Sequence, residues 1–136
     1  MILLDTNVVS GLMRPAVDRP LAAWLASLDD QLLGVSTVSI GEIAYGVARL
    51  PAGRRKSLLA ANVERLIGGM EVIDFDRTMA AQSGVFRNVR AVAGRPMSFA
   101  DAMIGGTAAA LGAVLATRNI RDFDGLGLSL VDPWTG

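Results

Sequence analysis

The segment Ile2-Leu3-Leu4-Asp5-Thr6-Asn7 joins three aliphatic residues directly to three polar ones. A short aliphatic run that ends in Asp, Thr and Asn is typical of a buried strand followed by the start of a helix. Its continuous apolar character, without alternation, indicates a strand covered on both faces, as in a parallel sheet. The segment therefore predicts a central strand with Asp5 at its carboxyl end.

The rest of the chain repeats this alternation of short apolar strands and helices. Four more strands are predicted at 32–35, 72–75, 113–116 and 128–131. Helices are predicted at 8–13, 21–28, 36–50, 53–67, 78–92 and 98–111. The alternation predicts an α/β fold, with three α/β/α layers and a mainly parallel sheet of about five strands. The length of 136 residues fits a single domain over residues 1–136.

The composition restricts the chemistry that the chain can perform. The absence of Cys and His excludes thiolate catalysis, Cys-ligated zinc and a histidine base. Catalysis would then use carboxylates, hydroxyls, arginine, Lys56 or Tyr45, and carboxylates favour hard cations such as Mg²⁺ or Mn²⁺. Basic and acidic residues are equal, at 13 each, so a nucleic-acid surface would be a local patch.

Two further absences concern location. No apolar run reaches the ~18 residues of a membrane span, so no membrane association is expected. The first residues lack the basic start and the small-residue cleavage site of a signal peptide. We therefore predict a cytoplasmic protein.

Acidic residues recur at the predicted carboxyl edge of the sheet, where open parallel sheets place their sites. The predicted fold places Asp5, Asp101 and the loop with Asp122 and Asp124 at this edge, and Glu42 on a helix is a further candidate. Three or four carboxylates without His or Cys match metal-assisted phosphodiester hydrolysis, in which the metal holds the phosphate and activates water.

Each acid also has an ordinary structural interpretation. Asp5 could cap the first helix. The pairs Ser39/Glu42 and Ser98/Asp101 match the spacing of a capping box. Asp122 and Asp124 lie two residues apart, so either could be the fourth acid.

Arginine supplies nearly all of the positive charge. Its planar fork suits phosphate oxygens, so Arg49, Arg54, Arg55 and Arg118 are candidate contacts to RNA phosphates. The alternative for each one is a solvated helix or loop charge.

Four segments together resemble the PIN domain, and specifically the VapC-type toxin ribonucleases of bacterial toxin–antitoxin pairs. They are Ile2-Leu3-Leu4-Asp5-Thr6-Asn7, residues 36–46 from Ser36 to Gly46, residues 98–104 from Ser98 to Ile104, and residues 117–123 from Thr117 to Phe123. They span almost the whole chain in the order and spacing of the family.

The resemblance implies an acidic site of Asp5, Glu42, Asp101 and Asp122. Asp5 and Asp101 would be the principal ligands of Mg²⁺, with Mn²⁺ as a substitute and the number of metals open. Thr6 and Asn119 would support the site by hydrogen bonds.

The resemblance also implies partners: an RNA substrate, a homodimer and a cognate antitoxin. Met13, Trp24, Leu25 and Leu28 could form a groove for an amphipathic segment of that antitoxin, or belong to the core. One departure is Gly105-Gly106, where the family commonly has alanines. Two glycines inside a helix cost about 2 kcal/mol relative to alanines, unless close helix packing requires them.

Two other functions compete with this one. The first is a phosphatase or phosphotransferase with Asp5 as the nucleophile, although position 7 is Asn where a second acid is expected. The second is a binding module that retains the fold without activity, although none of the four acids is missing.

Overall fold

A computed structural model describes residues 1–135. The strands are β1 (Ile2–Leu4), β2 (Leu33–Ser36), β3 (Glu71–Ile73), β4 (Val114–Ala116) and β5 (Leu130–Val131). The helices are α1 (Thr6–Leu12), α2 (Arg19–Ala26), α3 (Thr37–Ala48), α4 (Arg54–Gly68), α5 (Arg77–Val92) and α6 (Phe99–Leu111). A short 3₁₀ helix, Ile120–Phe123, lies between β4 and β5.

The five strands form one parallel sheet in the order β3-β2-β1-β4-β5. The first strand is central, as its sequence predicts, and Leu4 lies opposite Val35 on one side and Ala116 on the other. Because all strands run in the same direction, their carboxyl ends meet at one edge, and the residues that follow them gather there.

The core has two apolar layers, one on each face of the sheet. Leu4 belongs to a cluster with residues of the first four helices. Leu3 points to the opposite face and packs with Ile104 and Phe123. This alternation along a three-residue strand confirms the predicted three-layer α/β/α fold.

Capping residues fix the starts of the helices that carry candidate site residues. The hydroxyl of Ser36 accepts a hydrogen bond from the Val38 N–H and begins α3. The capping box predicted at Ser39 and Glu42 is therefore wrong, because Ser39 lies inside the helix. The Ser98 hydroxyl accepts from the Asp101 N–H, so the cap predicted for α6 is confirmed.

The apolar set on the first two helices belongs largely to the core. Met13 and Trp24 are buried, and Leu25 and Leu28 pack against the same cluster. The core interpretation is confirmed for Met13 and Trp24. Met13 also lines a groove beside α3 and α4, and the binding of an antitoxin segment there stays a prediction.

The two glycines of α6 differ in what surrounds them. A Cβ on Gly106 would lie 2.5 Å from Ser83 Oγ and 2.7 Å from the Met79 carbonyl oxygen of α5. A Cβ on Gly105 would only touch the Phe123 ring at 3.5 Å. Close packing of α5 on α6 therefore requires glycine at 106 and not at 105.

None of the helices in residues 1–135 combines the length and the apolar character needed to cross a membrane.

Candidate active site

Asp5 directly follows the central strand and is buried, with 4% of its surface exposed. Its Oδ1 accepts a hydrogen bond from the Thr6 N–H at 2.8 Å, so it caps α1 as one interpretation predicts. Its Oδ2 accepts from Thr117 Oγ1 at 2.7 Å and from Asn7 Nδ2 at 3.3 Å. One carboxylate thus serves as a helix cap and as the floor of a polar site.

The surroundings of Asp5 disfavour the ionised form of its carboxyl group. Burial raises the pKa of this carboxyl to about 6, and the hydrogen bonds from Thr117 and Thr6 oppose that rise only in part. The negative charges of Asp101 and Glu42 raise the pKa further. The three acids therefore lie near enough to repel one another, although they come from distant parts of the sequence.

Glu42 extends from α3 toward the end of the central strand. Thr6 Oγ1 donates to Glu42 Oε1 at 2.7 Å and lies 2.9 Å from Ser39 Oγ. The Thr6 hydroxyl therefore links the start of α1 to α3, consistent with the supporting role expected of it. The Glu42 side chain is otherwise exposed to solvent.

Asp101 lies in the first turn of α6 and is half-buried. Burial raises the pKa of its carboxyl above the usual range, while the hydrogen bond from Ser98 lowers it. The charges of Asp122 and Glu42 raise the pKa again, and Arg90 lowers it. Asp101 thus lies near enough to Asp122 and Glu42 for their charges to act on it.

The structure separates Asp122 from its neighbour Asp124. Asp124 Oδ2 forms an ion pair with Arg95 Nη2 at 3.4 Å, whereas the charge of Asp122 acts on Asp101. Asp122 is therefore the better candidate for the fourth acid. Its loop is held by the buried Arg90, whose guanidinium donates to the carbonyls of Asp122 at 2.7 Å and Arg95 at 2.8 Å.

A cleft of about 390 Å³ opens above these groups. We call it the acidic cleft. It is lined by Asp5, Thr6, Asn7, Ser10, Gly11, Arg14, Asp18, Glu42, Asp101, Arg118 and Trp134. Asp122 is not in the lining, but its charge acts on Asp101, which is.

The donor set of the acidic cleft fits a hard divalent cation. Its ligands would be carboxylate oxygens, and among residues 1–135 no arginine or lysine forms an ion pair with Asp5, Glu42 or Asp101. Within residues 1–135, no three carboxylates converge closely enough to enclose an ion by themselves. Mg²⁺ does not need such a cage, because it retains several waters and binds through one or two carboxylates.

Two polar side chains of the site are not among the candidate residues predicted from the sequence. Thr117 and Asn7 contact Asp5 directly. Asn119 contributes through its backbone N–H, which donates to Thr117 Oγ1 at 3.1 Å. Thr117 could have been predicted from its position in the sequence, because it immediately follows β4, the neighbour of β1 in the sheet.

The candidate basic residues are distributed unequally around the cleft. Arg118 lines the cleft itself. Arg55 lines an adjoining groove of about 780 Å³ that shares Thr6 and Glu42 with it. Arg54 is exposed in the first turn of α4, and Arg49 is exposed and lies over the Tyr45 ring.

Comparison with known proteins identifies the family of the chain. The sequence profile of the PIN domain matches residues 2–127. The chain belongs to the PIN domain family. This PIN domain is 32% identical to VapC ribonuclease Y4jK of Sinorhizobium fredii, over 98% of both chains. It is also 32% identical to toxin FitB of Neisseria gonorrhoeae, over 98% of this chain and 99% of FitB.

A solved structure supports the same assignment. FitAcB from Neisseria gonorrhoeae matches this PIN domain with a TM-score of 0.85 and 32% identity, over 98% of this chain and 99% of the other. The family match to residues 2–127 includes all four candidate acids and ends before Trp134. The resemblance to PIN domains of the VapC type is therefore confirmed.

Proposed function

We propose that this protein is a metal-dependent endoribonuclease that acts as the toxin of a toxin–antitoxin pair. The observation that carries the proposal is the meeting of Asp5, Glu42 and Asp101 in one cleft, with Asp5 buried and destabilised by the charges of the other two. The names of its relatives, a VapC ribonuclease and a toxin, support the same function.

Asp5 and Asp101 are the proposed ligands of Mg²⁺ or Mn²⁺. A bound cation would polarise the scissile phosphate and lower the pKa of the attacking water. The chain contributes fixed geometry: Thr117 and the Thr6 N–H hold the two oxygens of Asp5. Glu42 is exposed, is oriented by Thr6 Oγ1, and is the proposed acceptor of a proton from water.

RNA is the proposed substrate, bound in part through arginines. Arg118 lies at the acidic cleft and Arg55 in the adjoining groove, so both are proposed to contact phosphates. Arg49 and Arg54 are exposed on the neighbouring helices and are proposed as weaker contacts. A cognate antitoxin and a homodimer complete the proposal.

The phosphatase alternative is less well supported by the contacts of Asp5. Position 7 is occupied by an amide that donates to Asp5, not by a second acid. Both oxygens of Asp5 accept hydrogen bonds, which restrains the carboxylate and weakens it as a nucleophile.

The test is cleavage of a mixed RNA pool by the purified chain with Mg²⁺, with Mn²⁺ and with chelator. Cleavage is expected only with metal and should be lost in Asp5→Asn and Asp101→Asn. The matched control is Glu64→Gln, which removes an exposed charge from α4 and should cleave normally.

Two further measurements separate the alternatives. Hydrolysis of p-nitrophenyl phosphate without RNA cleavage would favour the phosphatase. Expression in bacteria should arrest growth with the wild-type chain and not with Asp5→Asn. Normal growth with abundant soluble wild-type protein would contradict the toxin role.

A further inference from the structure

Trp134 is fixed at the mouth of the acidic cleft. Its backbone N–H donates to Asp132 Oδ1 at 2.9 Å, and its indole Nε1–H donates to Asp18 Oδ2 at 3.0 Å. Its ring lies against α1, where a Cβ on Gly11 would be 3.1 Å from Trp134 Cζ2. The ring is thus held by hydrogen bonds at two points and by packing against a glycine.

Arg118 is held at both ends. Its backbone N–H donates to Oδ1 of Asn7 at 3.2 Å, and the Asn7 amide in turn contacts Asp5. Its guanidinium carbon lies 4.6 Å from the centroid of the Trp134 ring, within the range of a cation–π contact. An exposed arginine usually samples many rotamers, whereas this one is directed along a fixed surface.

The charge of Arg118 is available to a ligand. No carboxylate of residues 1–135 forms an ion pair with it, in contrast to Arg95, which pairs with Asp124. Two other arginines lie over aromatic rings, Arg49 over Tyr45 and Arg87 over Phe99, but those side chains do not line the acidic cleft. The stack on Trp134 alone combines a fixed guanidinium with the mouth of the cleft.

We propose that Trp134 is a positioning residue that holds the Arg118 guanidinium at the mouth of the acidic cleft, where it binds a phosphate of the RNA strand next to the one that is cleaved. The proposal rests on the ribonuclease function above and adds a residue outside the family match. A planar guanidinium suits two phosphate oxygens, and its fixed orientation lowers the entropy lost on binding.

The experiment measures cleavage of a single-stranded RNA oligonucleotide by the full chain at several salt concentrations. Arg118→Ala should lower kcat/KM by about tenfold, mainly through KM. It should also reduce the slope of log(kcat/KM) against log[salt] by about 0.7, the value for one phosphate contact on a single strand. Trp134→Ala should raise KM by a smaller factor, and the double variant should be no worse than Arg118→Ala alone.

Conservative variants separate positioning from folding. Trp134→Phe retains a ring face but loses the N–H that anchors the ring to Asp18, so its KM should lie between those of the wild type and Trp134→Ala. Arg118→Lys retains the charge but loses the planar stack, so KM should rise. Arg121→Ala is the matched control, because it removes a charge from the same loop, and it should change neither KM nor the salt slope.

A fluorescence measurement makes the proposal independent of turnover. The chain has two tryptophans, so a Trp24→Phe background reports on Trp134 alone. With Asp101→Asn added to prevent cleavage, RNA should change the Trp134 emission, and Arg118→Ala should abolish the change.

If the wild type cleaves RNA but Arg118→Ala behaves like Arg121→Ala, the inference is overturned and the ribonuclease stands. If no RNA is cleaved but the emission change occurs and needs Arg118, the ribonuclease fails and the RNA contact stands. Absence of both overturns both.

Discussion

The acidic cleft and the contact between α5 and α6 bury polar groups in opposite ways. At the helix contact, the Ser83 hydroxyl donates to the Met79 carbonyl at 2.7 Å, and the missing side chain of Gly106 lets α6 approach this pair. In the acidic cleft, Asp5 has its hydrogen bonds but faces two like charges, and its pKa rises to about 6. The first region stabilises the fold, whereas the second destabilises it in the absence of a cation.

The largest effect is expected from Gly106→Ala. The added Cβ would clash with Ser83 Oγ at 2.5 Å and with the Met79 carbonyl at 2.7 Å, so α5 must move. We expect a loss of about 3 kcal/mol or more in the free energy of unfolding, measured by urea denaturation.

Gly105→Ala is the matched control for that substitution. Its Cβ would make only ordinary contact with Phe123 at 3.5 Å, and alanine favours the helix by about 1 kcal/mol. We expect unchanged or increased stability. Equal destabilisation by both substitutions would mean that close packing at 106 is not the cause.

The acidic cleft is tested by the pH dependence of stability. Folding raises the pKa of Asp5 from 3.8 to about 6, so the folded state holds this proton more tightly than the unfolded state. Asp5 therefore leaves the free energy of unfolding unchanged below pH 3.8. It lowers that free energy progressively between pH 3.8 and about 6, and by up to about 3 kcal/mol above that range.

Asp5→Asn removes this cost. In chelator, the stability of the variant relative to the wild type should rise by as much as about 3 kcal/mol from pH 3.5 to pH 7. Urea titrations at each pH give this difference, with Glu64→Gln as the control for an exposed acid. A difference that stays constant with pH would show that Asp5 is not destabilised by its surroundings.

Asp101→Asn compares the site interpretation with the helix-cap interpretation. If Asp101 belongs to the site, the variant should melt in chelator at or above the wild-type temperature, because the repulsion between Asp101 and the charges of Asp122 and Glu42 is relieved. As a cap residue only, it should melt lower, because a first-turn acid interacts favourably with the helix dipole.

Added Mn²⁺ sharpens this comparison. At a concentration about ten times Kd, wild type should gain about 1.4 kcal/mol, and Asp101→Asn should gain much less. Melting curves with chelator and with Mn²⁺ provide the measurement. A variant that is destabilised in chelator yet still cleaves RNA would remove Asp101 from the active site.

The smallest effect is expected at Asp124. Its ion pair with Arg95 is exposed, with 53% of the arginine and 47% of the aspartate side chain accessible. Asp124→Asn should change stability by less than about 0.5 kcal/mol and leave RNA cleavage intact. Asp122→Asn should lower cleavage, and equal activity of the two variants would refute the choice of Asp122 as the fourth acid.

Much of the fold could be predicted because local signals and global packing agree. Ser36, Ser98 and Gly112 mark helix ends in the sequence, and Gly112 adopts the left-handed φ of 61° typical of a helix C-cap. The aliphatic run at 2–4 identified the central strand because only a strand covered on both faces is apolar throughout.

The remaining features depend on contacts between distant residues. The choice between Asp122 and Asp124 rests on the ion pair of Asp124 with Arg95, which lies in the connection between α5 and α6. The 3₁₀ helix at Ile120–Phe123 is one turn long and has no periodicity that a sequence pattern could reveal. The position of Trp134 beside Arg118 depends on the order of β4 and β5 in the sheet, which the strand pattern does not specify.

The placement of β4 next to β1 has a consequence for synthesis of the chain. The hydrogen bond from Thr117 to Asp5 joins residues 112 positions apart, so the strand that carries Thr117 to the site is translated long after Asp5. At roughly 5–20 residues per second, a ribosome needs on the order of ten seconds to reach this strand. During that interval the nascent chain contains Asp5, Glu42 and finally Asp101, but not the strand beside β1 that completes the floor of the cleft. The floor of the cleft is thus incomplete until β4 has been translated, and a truncated product that lacks β4 is expected to lack the Thr117–Asp5 hydrogen bond and with it the complete cleft.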